Sequence, residues 1–490
     1  MLYAGDFFSI INLIKYKGQK TVSELEIKTL EIFKEISSFL WGWPLLLPLL
    51  ITGALFTIIL KGIQFTRLTT AIKLAFFDKK HKDIEGDGDI SHFQALMTAL
   101  SATVGTGNIA GVATAVTIGG PGAMFWMWVT GLFGMATKYA EAVLGVHYRE
   151  KHANGEYSGG PMYYIVNGLG QKWKPLAIFF SLSLAIAALG IGNMVQSNSM
   201  ADVMESTFGI DRWLTGLSVA VVTGLVVIGG IKRIAEVASK LVPTMIVIYV
   251  ITGITILVIN IDLIPTVFEL IFDNAFTSIT ALAGGVIGDA VSKGVGRGVF
   301  SNESGMGSAP IVAAAAKTDH PVSQALVSMT QTFIDTIIVC SFTGIIIIMA
   351  GLSGGEAGGA SLTASAFSIG LGGYEVLGYQ LGELIITITL LFFVFSTIIG
   401  WYYYGEKGVE FILGDKSIKV YKVLFLISTL LGALMTLELA WTISEVFTAM
   451  MIIPNLIALI LLSKKVKHLT KDYFNNHATT KYKIKPFHNS

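Results

Sequence analysis

Long apolar runs separated by short polar segments dominate this sequence. A helix needs about 20 apolar residues to cross the roughly 30 Å hydrocarbon core of a bilayer. Runs of about this length recur at 40–60, 93–118, 121–147, 175–200, 212–230, 240–260, 275–316, 324–350, 378–404, 420–437 and 441–463. The pattern predicts an all-α, polytopic membrane protein with 11 transmembrane helices, if the long seventh run is counted once.

Composition supports a membrane protein and excludes several other classes. Hydrophobic residues make up 53% of the chain and charged residues 14%, whereas soluble domains carry about 25% charged residues. The formal net charge of +1 gives no reason to expect a nucleic-acid partner. The single cysteine, Cys340, excludes a disulfide framework or a cysteine-based metal cluster. We expect the lipid bilayer to surround most of the chain.

The distribution of lysine and arginine predicts the orientation of the spans, because cytoplasmic loops are enriched in both. With eleven spans and a cytoplasmic C-terminus, the inside segments hold 25 basic residues, and the outside loops between spans hold one, Arg212. Splitting the 275–316 run into two spans would move eleven of these charges outside. A single span is therefore favoured, and the N-terminus is expected outside.

Two of the spans contain residues that a continuous membrane helix rarely carries. The second span holds the sequence SATVGTGN from Ser101 to Asn108, and backbone opened by glycine at membrane depth is tolerated only where it is buried or lines a cavity. The seventh run holds eight glycines between 282 and 310. We predict that both spans are broken helices. In the seventh, Ser292 and Gly294 mark the expected substrate-side break, and Ser308 caps a short helix that contains Pro310.

The positions of the two broken spans, second and seventh, predict internal symmetry. The seventh span lies five positions after the second, so each set holds five spans, and an odd number of spans reverses the direction of the next set. We therefore expect two inverted five-helix repeats, as in the LeuT type of secondary transporter, where ligands bind at the two breaks. The predicted divisions are a surface leader (1–39, amphipathic), an extra N-terminal helix (40–60), the first repeat (93–260), the second repeat (275–463) and a basic cytoplasmic tail (464–490).

The first break offers two kinds of backbone group. Freed amides suit a carboxylate and freed carbonyls suit a small cation. We expect a substrate carboxylate at the amides of Gly105, Thr106 and Gly107. We expect sodium at the carbonyls of Ser101, Thr103 and Val104, with the Asn108 side chain completing a site. The alternative is that Gly107 and Gly111 form a small-residue packing face.

Polar side chains in the fourth and ninth spans have two interpretations each. Ser396 and Thr397, with the Phe393 carbonyl, offer oxygen ligands suited to sodium, or their hydroxyls bond back to the preceding turn. Trp401 either closes a small pocket or anchors the span at the membrane interface. Asn193 and Gln196, three residues apart, either hold a substrate or bond to another helix.

Ionisable residues inside the spans are candidates for function, because they are costly in a membrane. Asp335 lies deep in the eighth span and is expected to tune a cation site or to bond to a neighbouring hydroxyl. Glu303, in the seventh run, either contacts a ligand or pairs with Arg297 or Lys293.

Four stretches resemble the alanine/glycine:cation symporter family, also called sodium:alanine symporters. They are GDISHFQALMTALSATVGTGNIAGVATA (Gly88 to Ala115), GGPGAMFWMWVTGLFGMATKYAEA (Gly119 to Ala142), RGVFSNESGMGSAPIVAAAAKTDHP (Arg297 to Pro321) and STIIGWYYYGEK (Ser396 to Lys407). The resemblance spans nearly the whole chain from about residue 40. It implies sodium- or proton-coupled uptake of alanine or glycine across a prokaryotic cytoplasmic membrane, on a LeuT-type core with an extra leading helix.

The resemblance also implies how the cation ligands group. Asn108 and the Thr103 carbonyl would belong to a sodium site that touches the substrate, with Thr332 or Asp335 as its partner on the eighth span. The second site would comprise the Ser101 and Val104 carbonyls together with Phe393, Ser396 and Thr397. One sodium ion or two remains open.

These observations together predict a sodium-coupled symporter of small neutral amino acids that works by alternating access, as a monomer, with no cofactor beyond its coupling ion. Proton coupling on the same fold is the alternative. An intramembrane enzyme is not expected. The sequence GLSG (Gly351 to Gly354) matches a rhomboid-type nucleophile pattern, but all eight histidines lie in loops, tails or span ends, and such a serine needs a histidine beside it. A passive channel is disfavoured, because tight glycine-broken sites suit occlusion of a solute.

Overall fold

The computed structural model describes residues 24–77, 86–152, 155–277, 288–353, 359–435 and 438–477. The helices of the first half are α1 Glu24–Leu40, α2 Trp43–Ile59, α3 Ile63–Thr66, α4 Leu68–Ile72, α5 His92–Thr103, α6 Val112–Gly119, α7 Ala123–His147, α8 Pro161–Leu169, α9 Lys174–Leu189, α10 Val195–Phe208 and α11 Arg212–Val227. Those of the second half are α12 Gly230–Ile259, α13 Ile264–Thr277, α14 Asp289–Asn302, α15 Ala309–Ala314, α16 Pro321–Thr332, α17 Ser341–Met349, α18 Ala360–Gly370, α19 Leu381–Leu413, α20 Ile418–Leu434, α21 Glu438–Leu461 and α22 Ser463–Asp472.

Shorter elements connect or interrupt these helices. Two small antiparallel hairpins pair β1 Glu150–Lys151 with β2 Tyr157–Ser158, and β3 Glu375–Val376 with β4 Tyr379–Gln380. In the first hairpin Glu150 lies opposite Ser158 and Lys151 opposite Tyr157. The 3₁₀ turns are Gln171–Trp173, Ile261–Leu263 and Asp415–Ser417, and the π-helical segments are Lys73–Phe77, Gly107–Gly111, Gly190–Met194, Phe333–Cys340 and Tyr473–His477.

The helices confirm a polytopic, all-α membrane protein. Among the described residues, seven helical segments are long and apolar enough to cross a bilayer, and a bent pair makes an eighth. Each of these eight corresponds to one predicted run. The remaining three predicted runs correspond to α7, the 16-residue helix α11, and the run from 275 to 316, part of which lies outside the described residues. The count of eleven therefore stays a prediction.

The described part of the N-terminal leader is a helix packed against the last long helix of the chain. In α1, Lys34 forms an ion pair with Glu438 of α21. Ser37 donates to Glu445 Oε2 at 3.1 Å, and the indole N–H of Trp41 donates to the Glu445 carbonyl at 3.1 Å. Residues 1–23 and 478–490 lie outside the described part, so the predicted leader and tail are only partly described.

Helix α7 lies at the centre of the bundle, and other helices approach its backbone through glycine. A Cβ on Gly294 of α14 would lie 2.4 Å from the Ala123 carbonyl oxygen. A Cβ on Gly145 of α7 would lie 2.7 Å from the Pro310 Cβ of α15. Cβ atoms do not occur at such distances, so both contacts require glycine. These approaches place α14 and α15, the two halves of the seventh run, directly against α7.

One end of the bundle is closed by backbone contacts between the segment before α5 and the segment after α15. The Asp89 amide donates to the Ala315 carbonyl and the Lys317 amide to the Ile90 carbonyl, both at 2.7 Å. Arg149, next to β1, donates to carbonyls of both segments, at 2.8–2.9 Å. We call this end, which carries the first hairpin, the hairpin end.

Candidate functional site

The second span is broken where the sequence predicts. Helix α5 begins with a capping box in which Ser91 and Gln94 bond to each other's backbone amides, and it ends at Thr103. Val104 leaves helical geometry with ψ near 95°. The chain resumes in the π-helical segment Gly107–Gly111 and then α6, bent by 53° from α5. The small-residue packing alternative alone would not require this interruption.

Asn108 organises the turn within this break. Its side-chain Oδ1 accepts from the Gly105 backbone amide at 2.9 Å, and its backbone amide donates to the Gly105 carbonyl at 3.2 Å. The prediction that the Gly105 amide is free to meet a carboxylate is therefore wrong for this conformation, because the Asn108 side chain already accepts from it. Thr106 and Gly107 carry the remaining amides of the predicted anion site.

The predicted oxygen ligands of α19 meet the first break. Thr397 Oγ1 donates to the Phe393 carbonyl at 2.9 Å, as in the back-bonding alternative, and it also lies 3.4 Å from the Val104 carbonyl across the helix interface. Ser396 Oγ bonds to the Phe393 carbonyl at 2.9 Å. The Ser101 hydroxyl donates to the Thr98 carbonyl at 2.7 Å, one turn earlier in α5. The Phe393 and Val104 carbonyls thus meet at the Thr397 hydroxyl, whereas the Ser101 and Ser396 hydroxyls bond back within their own helices.

The seventh span is also broken, but not at Ser292 and Gly294 as the sequence analysis predicted. Helix α14 continues without interruption to Asn302. The break follows it, where Glu303, Gly305 and Gly307 have φ values of 57°, 89° and 81°. Gly294 serves close packing against α7, as described above, so its lack of a side chain reflects helix contact and not a break.

Ser308 occupies the N-cap position of α15, but its hydroxyl does not cap that helix. It donates instead to Glu303 Oε2 at 2.5 Å. Of the two interpretations of Glu303, pairing with Arg297 or Lys293 is not seen among the described residues, because Arg297 pairs with Glu445 at 3.4 Å and the buried Glu303 bonds to Ser308. Glu303 is therefore a carboxylate inside the site.

Asp335 joins the two breaks. Its Oδ1 accepts from the Asn108 side-chain amide at 2.6 Å, and its Oδ2 accepts from the Ser301 hydroxyl at 2.9 Å and the Thr336 hydroxyl at 2.8 Å. Ser301 lies at the end of α14, two residues before the second break. Three donors suit an ionised carboxylate. The other candidate partner, Thr332, contacts the second break, with its hydroxyl 3.0 Å from that of Ser304.

The two predicted amides of the fourth span have different roles. Asn193 donates to the Phe425 carbonyl of α20 at 2.7 Å, which is the helix-contact alternative. Gln196 donates to the Thr106 hydroxyl at 3.0 Å, so it lies at the first break. Trp401 packs against Gly192, where a Cβ would lie 2.4 Å from the Trp401 Cβ. Trp401 is buried and therefore closes a pocket instead of anchoring the span at an interface.

Two cavities meet these residues. The first, of about 510 Å³, is lined by residues of α6, α10, α18 and α19 together with Thr106, Arg297 and Trp441. We call it the vestibule. The second, of about 20 Å³, has room for about one water molecule. Its lining includes Gly105, Gly107, Gln196, Glu303, Thr397 and Trp401. We call it the central cavity. Thr106 lines the vestibule, and its neighbours Gly105 and Gly107 line the central cavity.

Comparison with known proteins shows the family to which the chain belongs. The profile of the sodium:alanine symporter family matches residues 27–487. The chain belongs to the sodium:alanine symporter family. The sodium/alanine symporter AgcS of Methanococcus maripaludis is 51% identical over 444 residues, covering 89% of this chain and 96% of AgcS. The amino-acid carrier protein AlsT of Bacillus subtilis is 34% identical over 438 residues, covering 89% and 90%.

The structural comparison gives the fold of this sodium:alanine symporter family member. The crystal structure of MhsT in complex with L-phenylalanine aligns with a TM-score of 0.55 and 13% identity, covering 78% of this chain and 98% of MhsT. The predicted LeuT-type fold is confirmed.

Several polar residues of the site in this family member were not predicted. Glu141 of α7 accepts from the Gly307 amide at 3.0 Å and from the Asn455 side chain at 2.6 Å, which fixes the second break. Lys138, fully buried one turn earlier, has no hydrogen-bond partner for Nζ among the described residues. Its charge interacts with Glu141, Glu303 and Asp335. The sequence signal that could have identified Lys138 and Glu141 is the presence of two ionisable residues, three positions apart, in an apolar span.

Three of the five π-helical segments fall at this site. They carry Asn108, Asn193 and Asp335. Such segments cost helical hydrogen bonding and occur frequently at functional sites. One of the three, Gly107–Gly111, adjoins the first break, and Asp335 in another bonds to residues at both breaks.

Proposed function

We propose that this protein couples the inward movement of sodium to the uptake of alanine or glycine by alternating access. The observation that carries the proposal is the position of Asp335, a buried carboxylate bonded to Asn108 at the first break and to Ser301 beside the second. A negative charge at the junction of two broken helices attracts a cation and makes its binding change the relative position of the two breaks. Membership of the sodium:alanine symporter family supports the choice of ion and substrate.

The proposed substrate site is the central cavity together with the amides of the first break. The Thr106 and Gly107 amides receive the substrate carboxylate, as half-helix N-termini suit anions. Glu303, in the cavity lining, attracts the ammonium group. The cavity of about 20 Å³ is too small for an amino acid, so binding requires the breaks to separate. Walls formed by Trp401 and Ile191 favour a side chain no larger than that of alanine.

The proposed cation positions are the oxygens around Thr397 and the carboxylate of Asp335. Sodium at Thr397 would take the Val104 and Phe393 carbonyls, to which the hydroxyl now donates. At a membrane potential of −100 mV each charge moved inward supplies about 2.3 kcal/mol. The two-sodium and one-sodium schemes differ in whether Asp335 also holds an ion.

Proton coupling is the second candidate, and the same carboxylate favours it. Asp335 is a fully buried titratable group between the two breaks, so a proton carried there would neutralise it as a sodium ion would. The two schemes differ in the gradient that drives uptake.

The vestibule supports an outward-facing conformation. It reaches Thr106 from the end opposite the hairpin end, and the hairpin end is closed by Arg149 and the backbone bonds between residues 86–90 and 315–318. The distribution of basic residues favours a cytoplasmic position for the hairpin end. The proposal is thus a monomeric carrier in the cytoplasmic membrane, with its C-terminus inside and its N-terminus outside, that has no enzymatic activity and needs no cofactor beyond the ion.

The test is uptake of labelled alanine and glycine into proteoliposomes under an imposed sodium gradient and, separately, an imposed proton gradient. We expect accumulation with sodium and none with protons alone. Thr397→Ala should raise the sodium concentration needed for half-maximal uptake by about ten-fold, because a cation ligand is lost. Thr389→Ala is the matched control, since Thr389 is equally buried in α19 but lies two turns away from the break.

Two results would contradict the proposal. Uptake driven by the proton gradient alone would replace sodium with a proton as the coupling ion. An unchanged sodium response in Thr397→Ala, with Thr389→Ala also unchanged, would show that the cation does not bind at Thr397.

A further inference from the structure

A cluster of metal-ligating side chains lies at the hairpin end, outside the site described above. His152 follows β1, Glu410 lies in the last turn of α19, and Asp415 begins the 3₁₀ turn after that helix. One ligand atom from each lies within 4.8 Å of the other two. The three residues come from two separate elements of the chain, so their convergence is a tertiary feature.

The hydrogen bond of His152 directs one ring nitrogen toward this cluster. Nε2 lies 3.1 Å from the Tyr163 hydroxyl, and we assign the ring proton to this nitrogen. Nδ1 then carries a lone pair and faces Glu410 Oε1. A histidine whose second nitrogen is held by a hydrogen bond is oriented as metal-ligating histidines are.

Glu410 supplies a buried oxygen without a hydrogen bond. Its side chain is 3% exposed, and Oε1 has no hydrogen-bond partner among the described residues. Oε1 lies 3.7 Å from His152 Nδ1, which is too long for a hydrogen bond. Two ligands of one tetrahedral zinc ion lie about 3.4 Å apart, because each is about 2.1 Å from the metal. The spacing therefore suits a shared ion better than direct contact.

The charges around the cluster also favour a cation. Lys407 Nζ lies 2.7 Å from the other carboxylate oxygen of Glu410 and 3.6 Å from Glu156. Glu156, Glu410 and Asp415 together outweigh this single lysine, and Oε1 is left free. A divalent ion would balance the remaining negative charge.

We propose that His152, Glu410 and Asp415 bind one Zn²⁺ ion at the hairpin end, with water in the fourth position. Mixed imidazole and carboxylate ligands are those that zinc accepts. The ion joins the first hairpin to the end of α19. The hairpin is itself bonded to the segment before α5, through the Tyr157 amide and Asp89 at 2.9 Å. Bound Zn²⁺ therefore restrains the hairpin end from opening and slows transport.

The test is titration of the full chain, purified in detergent without a polyhistidine tag and stripped with EDTA, with ZnCl₂ by calorimetry. We expect one Zn²⁺ per chain. His152→Ala and Asp415→Asn should each weaken binding by about ten-fold or more. His468→Ala and Asp262→Asn are the matched controls, because both residues are exposed and lie outside the cluster, and they should bind Zn²⁺ as the wild type does.

The outcomes separate cleanly. Absence of Zn²⁺ binding by the wild type, or binding that neither His152→Ala nor Asp415→Asn weakens, would overturn the site. Weakening by only one of the two would overturn the three-ligand assignment. Thermal melting of each variant without metal guards against misfolding. Since calorimetry needs no transport, a negative result leaves the proposed symport standing, and failed uptake leaves the metal site standing.

Discussion

Replacement of Gly105 by alanine tests the contact between the first break and α19. A Cβ at this position would lie 2.5 Å from Thr397 Oγ1 and 3.4 Å from Thr397 Cβ. The first distance is about 0.9 Å shorter than an ordinary van der Waals contact, whereas the second is tolerable. The backbone at Gly105 does not lie in the left-handed region, so the effect comes from the side chain and not from strain.

The expected response is rotation of the Thr397 side chain. Its hydroxyl then leaves the Phe393 and Val104 carbonyls, to which it now bonds at 2.9 and 3.4 Å. Two such interactions contribute about 2 kcal/mol together. If the Thr397 hydroxyl is a sodium ligand, its displacement weakens the sodium response by about ten-fold, as its deletion in Thr397→Ala does.

The assay is the sodium dependence of labelled-alanine uptake in proteoliposomes, with thermal melting of the purified variants as the measure of stability. Gly111→Ala is the matched control, because a Cβ there would meet only the Thr106 carbonyl, at 4.0 Å. The double variant Gly105→Ala with Thr397→Ala removes the clashing hydroxyl. Its melting temperature should recover while its sodium response stays weak.

One result would refute this reasoning. If Gly105→Ala kept both the wild-type melting temperature and the wild-type sodium half-saturation, the Thr397 hydroxyl would not be needed where the structure places it. A weak sodium response in Gly111→Ala would also contradict it, because the effect of Gly105→Ala could then not be attributed to the contact with Thr397.

Three further substitutions test other parts of the site. Asp335→Asn removes the charge between the breaks and should abolish sodium-driven uptake while the protein still folds; full uptake would contradict the assignment of Asp335. Gly307→Ala should lower the free energy of unfolding by about 1–3 kcal/mol, because φ is 81° and the Cβ would lie 2.5 Å from Pro161 Cγ. In its control, Gly155→Ala, φ is 86° but the Cβ would have open space around it. If both variants lost the same stability in thermal melting, the contact with Pro161 would contribute nothing. Ile191→Ala enlarges the central cavity and should improve competition by 2-aminobutyrate for alanine uptake by about ten-fold or more; unchanged selectivity would place the substrate elsewhere.

The first break was predictable because few other structural features explain this combination of residues at the centre of an apolar span. Hydroxyls, glycines and an asparagine at the centre of an apolar span favour opened backbone. The residue pattern of α19 identified Thr397 as a candidate ligand, and only the family resemblance implied its grouping with Val104. In the structure the Thr397 hydroxyl lies 3.4 Å from the Val104 carbonyl.

The second break was predicted at the wrong glycine for a physical reason. Gly294 and Gly307 both exclude a side chain, one because α7 approaches to 2.4 Å and the other because φ is positive. Helix packing and backbone conformation impose the same residue type, so sequence alone does not separate them. The two interpretations of Glu303 could not be separated for the same reason, because its partner Ser308 becomes a neighbour only when the break lies between them.

The partners of buried polar residues depend on tertiary contacts that a single sequence does not contain. Asn193 and Gln196 share one helix face in the pattern, yet Asn193 bonds to α20 and Gln196 to Thr106. The Asp335 bonds to Asn108 and Ser301 span 227 and 34 residues of sequence. The pattern identified Asn108, Asn193, Gln196 and Asp335 as candidates but not Ser301, and the fold decided which of them meet.

The central claim is that one cation and one amino acid bind together between the two breaks. The most direct test is the affinity of the purified protein for alanine, measured by equilibrium binding at increasing sodium concentration. The account predicts that sodium tightens alanine binding, that alanine tightens sodium binding by the same factor, and that Asp335→Asn removes this coupling. Alanine binding that does not change with sodium would contradict it.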